Sequence, residues 1–316
     1  MERIFRSVLP AVEKVYVYPH IEKSSRHNPY LSLLYAQTTL PVYSANPLFP
    51  RYLCSPQTTI MHYHWLSFAS LTGLIKLCIK VLPLILFVHR GGKIIWTVHN
   101  SEPHEGKYRR ANYLLRKYAA HRVSRLVVHT EEARKEVSHL FSIPSSHIAL
   151  CPHPAYPVEP LAQETARHLL TSLLTSPIPR GKLLILMYGY IAPYKGILPV
   201  VSCLQNHRFV HLIIAGKVKD PAYYRTLCSI AERGGNTTII PRFISSEEEQ
   251  ILFSSADYIL FNFSKILSSG SFILAKSYQR PCLVRADLPM AHQISNEDIL
   301  FTDEEDLCTR IQEVLP

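Results

Sequence analysis

LLILMYGYIAPYKG, residues 183–196, is the stretch that decides the fold of this chain. It opens with an unbroken apolar run, Leu183 to Tyr188, as expected of a strand buried on both faces of a parallel sheet. Gly189 ends the run, and Lys195 and Gly196 close a short turn before the next apolar stretch. A glycine at a strand end lets a ligand approach the backbone. A lysine at the start of the following helix offers a point charge to a phosphate. An ordinary turn with a surface lysine has the same local sequence, so the neighbouring segments must decide.

Further along, DYILFNF (257–263) runs into SKILSSGS (264–271) and then a helical stretch, FILAKSYQ. Ser269, Gly270 and Ser271 are small residues that leave backbone N–H groups open at a helix N-terminus, a geometry that suits a diphosphate. Serine is also a favoured plain N-cap. Two such turns in one half of the chain favour the phosphate reading over the plain one. Around them the pattern is strand and helix in alternation, the α/β signature. Strands are expected at Leu183–Tyr188, His211–Ala215, Thr237–Pro241, Tyr258–Phe263, Pro281–Val284 and Ile299–Thr302.

The same alternation occupies the first half. Strands are expected at Lys14–Tyr18, Thr59–Tyr63, Lys93–Val98 and Arg125–His129, with a weaker fifth at Ile148–Pro152. Helices are expected at Tyr30–Ala36, Leu66–Phe87, Tyr108–Ala120 and Glu131–Phe141. Pro152, Pro154, Pro157 and Pro160 then interrupt the chain, which marks a boundary. With 316 residues, the length fits two domains, 1–160 and 161–316. The strand TIMHY brings His62, His64 and Trp65 to its end, and IIWTV brings His99 and Asn100, followed by His104 and Glu105. Histidine titrates near neutrality and can act as a base or steer a phosphate or hydroxyl. His99 and His104 are expected to be functional. His62 and His129 are expected to satisfy buried polar needs, and His153 fits either role.

Composition narrows the classes. The formal net charge is +10, and no Asp or Glu occurs from Lys23 to Ser101 or from Gly106 to Thr130. Anionic partners are therefore expected on the first half: anionic lipid or phosphorylated substrates. Nucleic acid is not expected, because aromatic residues do not interleave with the basic clusters as a stacking platform requires. No G-x-G-x-x-G follows a strand, which argues against a dinucleotide-dependent dehydrogenase. Seven scattered cysteines, never spaced C-x-x-C, argue against a disulfide framework and a zinc site, and point to a reducing cytoplasm. The Leu66–Val88 apolar region is broken by Lys76 and Lys80, so it is expected to pack on a sheet or touch a membrane surface rather than span one. No D-x-D stands at a strand end, the nearest acids being Asp257 and Asp287, so no metal is expected.

HYHW, WTVHN-x-x-PHE, VVHTEEAR, PHP, YGYIAPYKG, RFISSEEEQILFSSADYILFNF and SGSFILAKSYQRPCLV follow one another in this order. In that order the chain resembles GT-B glycosyltransferases of the family 4-like type, such as bacterial enzymes that build exopolysaccharide or lipid-linked glycans. NPYLSLLY near the start looks like their acceptor-side loop. The resemblance implies two Rossmann-like domains facing across a cleft. It implies a donor nucleotide sugar, UDP- or GDP-linked, and a glycan or lipid-linked acceptor, with no cofactor. Carried over by position, Gly189, Lys195, Ser269, Gly270 and Ser271 correspond to the donor-phosphate loops, and Arg242 lies near the base-binding segment. His99, His104 and Glu105 correspond to residues facing the sugar or acceptor, with His64 and Asn100 on the acceptor side. Two departures stand out. Ile266 and Leu274 occupy positions where many relatives carry glutamates, and Tyr190 and Ala192 stand where relatives often have an arginine. The expected function is metal-independent glycosyl transfer from the cytoplasmic side, at or near the membrane. The alternative is a catalytically degenerate relative that binds a nucleotide sugar or glycan.

Overall fold

The computed structural model describes the chain apart from residues 26–27, 47–49, 69, 71, 74–82, 101–107, 175–177, 180, 265 and 316. The chain divides into two compact units, Met1–Tyr156 and Pro157–Pro316. Each is built on a six-stranded sheet in which every pairing is parallel. Parallel strands need crossovers, and the helices that supply them cover the sheet faces, so the strands must be apolar on both sides.

In the first unit β1 (Lys14–Tyr18), β2 (Val42–Ser44), β3 (Thr59–Tyr63), β4 (Lys93–Thr97), β5 (Arg125–Val128) and β6 (Ile148–Leu150) lie in the order β2-β1-β3-β4-β5-β6. β3 is central and buried along its whole length. One core of this unit gathers Phe5, Val15, Val17, Leu31, Ile60, Ile95 and Val127. In the second unit β7 (Leu183–Tyr188), β8 (Val210–Ala215), β9 (Thr237–Ile240), β10 (Tyr258–Phe261), β11 (Cys282–Arg285) and β12 (Ile299–Phe301) lie in the order β12-β11-β10-β7-β8-β9. β7 and β8 are the hydrophobic centre, packed on Val200, Val201, Leu204 and Leu227.

The strand order reverses direction between β7 and β10 in the second unit and between β1 and β3 in the first. Open parallel sheets leave a crevice at the carboxyl end of such a switch point, because the two flanking crossovers depart to opposite faces. The turn after β7 and the turn after β10 both open there.

Three expectations need correction. The helix expected over Leu66–Phe87 does not start where expected: residues 64–68 are irregular, residues 72–73 and 83–89 are helical, and 74–82 lie outside the described residues. Asn112 accepts from the Phe68 amide at 2.9 Å and donates to the Phe68 carbonyl at 2.8 Å, which holds that segment out of a helix. β2 is absent from the expected strands; it is a three-residue edge strand with little burial, too short to leave a pattern of period two. Finally, Cys203 and Cys308 form a disulfide between the helices Ile197–Leu204 and Glu304–Glu313, although their separation of 105 residues gives no sequence signal.

Candidate active site

At the end of β7 the chain turns through Gly189 to the short helical turn Pro193–Lys195 and then the helix Ile197–Leu204. Lys195 is 8% exposed. Its Nζ donates to the Tyr188 carbonyl at 2.7 Å and lies 4.7 Å from the centre of the Phe263 ring, just past β10. Burial lowers its pKa to about 7. No salt bridge to a carboxylate involves it among the described residues. A buried ammonium held only by a carbonyl and an aromatic face is poorly compensated, and a phosphate oxygen would complete it.

The turn is fixed by close backbone contacts. Gly196 has φ +63°, and a Cβ there would lie 2.1 Å from the Asn262 carbonyl oxygen. Gly216, at the end of β8, has φ +146°, and a Cβ there would lie 2.0 Å from the Gly189 carbonyl oxygen. Asn262 ties the turns together by donating to the Gly196 carbonyl at 3.1 Å and to Glu304 Oε1 at 3.0 Å. The Ser264 amide bonds the Tyr194 carbonyl at 2.9 Å. The turn after β7 is thus sewn to the turn after β10, which leads into the helix Gly270–Ser277. Ser269 is its N-cap, accepting from the Phe272 amide at 3.2 Å, and its hydroxyl lies 2.9 Å from that of Ser271.

Gly189, Lys195, Ser269, Gly270 and Ser271 therefore belong to neighbouring turns at one end of one sheet. Arg242 is not brought to them. It follows the edge strand β9, and its guanidinium forms two bonds to the Glu248 carboxylate, at 2.6 and 2.8 Å. Ile266 and Leu274 are both buried apolar side chains. Asp257 immediately precedes β10, at the opposite end of the sheet, where it accepts from Arg167 at 2.6 Å and from the Leu184 amide at 2.7 Å. Asp287 pairs with Arg285 at 2.6 Å. Among the described residues no group of three His, Cys, Asp or Glu is placed to hold a metal ion.

In the first unit a second cluster stands at the carboxyl ends of β3, β4 and β5. Alternation along β3 puts His62 and His64 on one side, and both reach the phenol of Tyr35, at 2.6 and 2.7 Å. His62 also bonds the Thr97 hydroxyl at 2.8 Å, and His64 bonds His99 at 3.2 Å. Trp65 stacks on His99, with centroids 4.8 Å apart. The Tyr30 ring lies against His64, His99, His129 and His153. Its phenol bonds His129 at 3.0 Å, and His129 bonds the Cys151 carbonyl at 2.7 Å. Burial lowers the pKa of His62 to about 3 and of His129 to about 4, and holds those of His64 and His99 well below the ordinary value. The rings are therefore neutral at pH 7. Asn100 is part of the same region; its carbonyl accepts from the Arg116 guanidinium. A small cavity of ≈ 30 Å³ is bounded by residues including His64, Trp65, His99, Asn100 and Arg116.

His62 and His129 have both ring nitrogens engaged, the structural part expected of them. His64, His99 and Asn100 are brought together. His104 and Glu105 lie outside the described residues. Tyr30 and Tyr35 emerge as the residues that organise the cluster. Their only sequence signal is their place in NPYLSLLY, where they read as helix core.

No family model matches the chain, and no curated protein matches it in sequence. Solved structures do. HepE from Anabaena, in complex with UDP and glucose, aligns with a TM-score of 0.66 at 9% identity, covering 96% of this chain and 89% of HepE. Sucrose-phosphate synthase from Thermosynechococcus elongatus aligns at 0.71 and 13% identity, covering 96% and 90%. A glycosyltransferase from Rickettsia africae aligns at 0.66 and 12% identity, covering 96% and 87%. The chain has the GT-B fold, two Rossmann-like units each built on a six-stranded parallel sheet.

Proposed function

We propose that the protein is a glycosyltransferase that moves a sugar from a UDP- or GDP-linked donor to a glycan or lipid-linked acceptor without a metal ion. Lys195 carries this reading: a buried cation with no carboxylate partner among the described residues, at the switch point of the second sheet. As the glycosidic bond breaks, negative charge grows on the departing diphosphate. Lys195 and the amides at Ser269 to Ser271 would stabilise it by electrostatic preorganisation. These charges are the protein's own, so the reading needs no divalent cation. The HepE complexes hold UDP, UDP and glucose, or UDP-glucose, which supports a nucleotide sugar as ligand. On the first unit, His64, His99 and Asn100 would meet the acceptor or the sugar, together with His104 and Glu105.

The acceptor side of the proposal includes an anionic membrane surface reached from the cytoplasm. The helix Arg109–Arg122 has no acidic residue, and outside the buried Arg116 it carries Arg109, Arg110, Lys117 and Arg122. Leu114 is 64% exposed and Tyr118 62% exposed between these cations. Apolar side chains flanked by basic ones suit the interface of an anionic bilayer, where each cation contributes about 1 kcal/mol. No helix among the described residues is long and apolar enough to cross a membrane. Loss of sedimentation with phosphatidylserine vesicles in Leu114→Asp/Tyr118→Asp is the expected result. Absence of binding by the unaltered protein at low salt would remove the membrane from the reading.

A panel of UDP-, GDP-, ADP- and dTDP-sugars in EDTA tests the donor by thermal stabilisation, since a ligand that binds only the folded state raises its midpoint. One nucleotide class should shift the midpoint, and Lys195→Ala should lose the shift. Radiolabelled transfer to lipid extract then tests catalysis. Ile266 and Leu274 favour a second reading, a degenerate relative that binds a nucleotide sugar or glycan. A midpoint shift with neither transfer nor donor hydrolysis would support that reading.

A further inference from the structure

Trp65 is the most exposed ring of the first unit's cluster. It stands two positions past β3, at the carboxyl end of the sheet, and 40% of it is exposed. The ring is nevertheless held. It stacks on His99 with centroids 4.8 Å apart and planes 17° apart, and it meets the rings of His64 at 5.7 Å and Tyr30 at 6.3 Å. An indole packed by three rings and still open to solvent is a preformed apolar platform. It has little side-chain freedom left to lose when a ligand binds.

His153 touches the same Tyr30 ring, with centroids 4.8 Å apart. Its Nδ1 lies 2.8 Å from the Pro154 carbonyl, which can only accept, so the ring proton is on Nδ1. An ordinary histidine is mostly neutral above pH 7, and burial lowers the pKa of this one further. Nε2 therefore presents a bare lone pair. It has no partner among the described residues, and it is not one of the side-chain nitrogens closed off from solvent.

These two groups ask different things of a ligand. The lone pair on Nε2 requires a donor. An ionised phosphate oxygen would meet it lone pair against lone pair, and a hydrocarbon chain has nothing to donate. The indole requires an apolar face. A pyranose supplies both, because the C–H bonds of one face stack on an aromatic ring while the hydroxyls donate from its edge. Asn100, whose amide both donates and accepts, borders the same small cavity as Trp65. That cavity, ≈ 30 Å³, suits one hydroxyl and not a sugar ring, so the ring itself would lie on the indole.

We infer that the first unit binds a neutral pyranose, with Trp65 as its stacking platform and His153 Nε2 as the acceptor for one of its hydroxyls. The acceptor substrate is then recognised by a sugar, and not by a lipid chain or a lipid phosphate. The binding site stands on these residues alone; its service to the acceptor rests on the transferase reading.

The chain has two tryptophans, Trp65 and Trp96. Full-length protein labelled with 5-fluorotryptophan therefore gives two fluorine NMR signals, which Trp65→Phe assigns. The probes are methyl glycosides and disaccharides of glucose, galactose, mannose and N-acetylglucosamine. Uridine, inorganic phosphate and farnesyl phosphate represent the contrasting classes. At least one saccharide should shift the Trp65 signal saturably, and the contrasting probes should not. Calorimetry with that saccharide should show affinity about tenfold lower in Trp65→Ala, partly recovered in Trp65→Tyr, and about fivefold lower in His153→Leu. Nitrogen NMR of histidine-labelled protein should find His153 protonated on Nδ1. No response to any saccharide, a response to uridine or farnesyl phosphate in its place, or a saccharide affinity unchanged in Trp65→Ala overturns the inference. Saccharide binding without sugar transfer would leave the site standing and count against the transferase reading. Transfer with the same KM for a glycan acceptor in Trp65→Ala would take the site away from the acceptor.

Discussion

The Lys195 ammonium rests 4.7 Å from the centre of the Phe263 ring, so the turn after β7 places its cation on the first aromatic side chain beyond β10. The relation spans the switch point of the sheet. It keeps the charge buried yet uncommitted to any acid among the described residues.

A buried lysine of this kind couples donor binding to pH. Its free pKa is about 7, lowered by burial, and a bound diphosphate favours the charged form and raises it. Affinity for a nucleotide sugar should be full below about pH 7 and fall as pH rises above it, by up to about tenfold per unit until the bound pKa is reached. Calorimetry from pH 6 to 9 should also show proton uptake on binding above pH 7 that Lys195→Met abolishes. A flat profile in the unaltered protein would place the phosphate elsewhere.

The backbone contact between Gly216 and the Gly189 carbonyl leaves no room for a methyl group. Gly216→Ala should destabilise the second unit by about 1–3 kcal/mol, the usual cost of overpacking, and should abolish donor-induced stabilisation. Gly235 is the control. It has φ +65° at a helix C-cap, with open space where a Cβ would stand, so Gly235→Asn should cost little. Equal melting midpoints for Gly216→Ala and wild type would contradict the packing described.

The first unit should be sensitive to acid. His62 and His129 have folded pKa values of about 3 and about 4, below an unfolded value near 6.5, both because burial disfavours the charged ring. The unfolded chain therefore binds more protons between those limits. Stability is fully present above about pH 6.5 and is lost as pH falls toward 4, at roughly 1.4 kcal/mol per unit for each histidine. Denaturant titrations at pH 7.5 and 5.0 would measure this. His62→Asn should reduce the slope, although it also lowers stability at neutral pH.

Reduction should loosen the second unit. The Cys203–Cys308 disulfide closes a long loop, and its loss should cost about 2–4 kcal/mol. A reductant should lower the thermal midpoint of the wild type and leave Cys203→Ser/Cys308→Ser unchanged. Mass spectrometry of unreduced peptides gives a direct check.

The strands were legible because parallel sheets buried on both faces need continuous apolar runs. Lys14–Tyr18, Thr59–Tyr63 and Leu183–Tyr188 match the structure end to end. Strand ends were less legible. β10 stops at Phe261, and Asn262 and Phe263 leave the strand to bind the Gly196 and Lys195 turn. Those are tertiary contacts to residues more than sixty positions away, and apolar composition does not mark them. The lysine and serine turns could be found from local rules of strand ends and caps. The role of Tyr35 could not, since a tyrosine on a buried helix face looks like core until its hydroxyl is placed between two histidines. Arg242 illustrates the opposite error: a basic residue in a suggestive segment whose charge is already held by Glu248.

The glycine contacts at Gly196 and Gly216 also bear on how such a chain drifts over time. These turns are held by main chain, which is the same in every residue, and by places where a side chain must be missing. Little else has to be spelled out. Most positions around the turns are then free to vary while the shape persists. The fold is in fact shared with solved structures at only 9–13% identity, with TM-scores of 0.66–0.71.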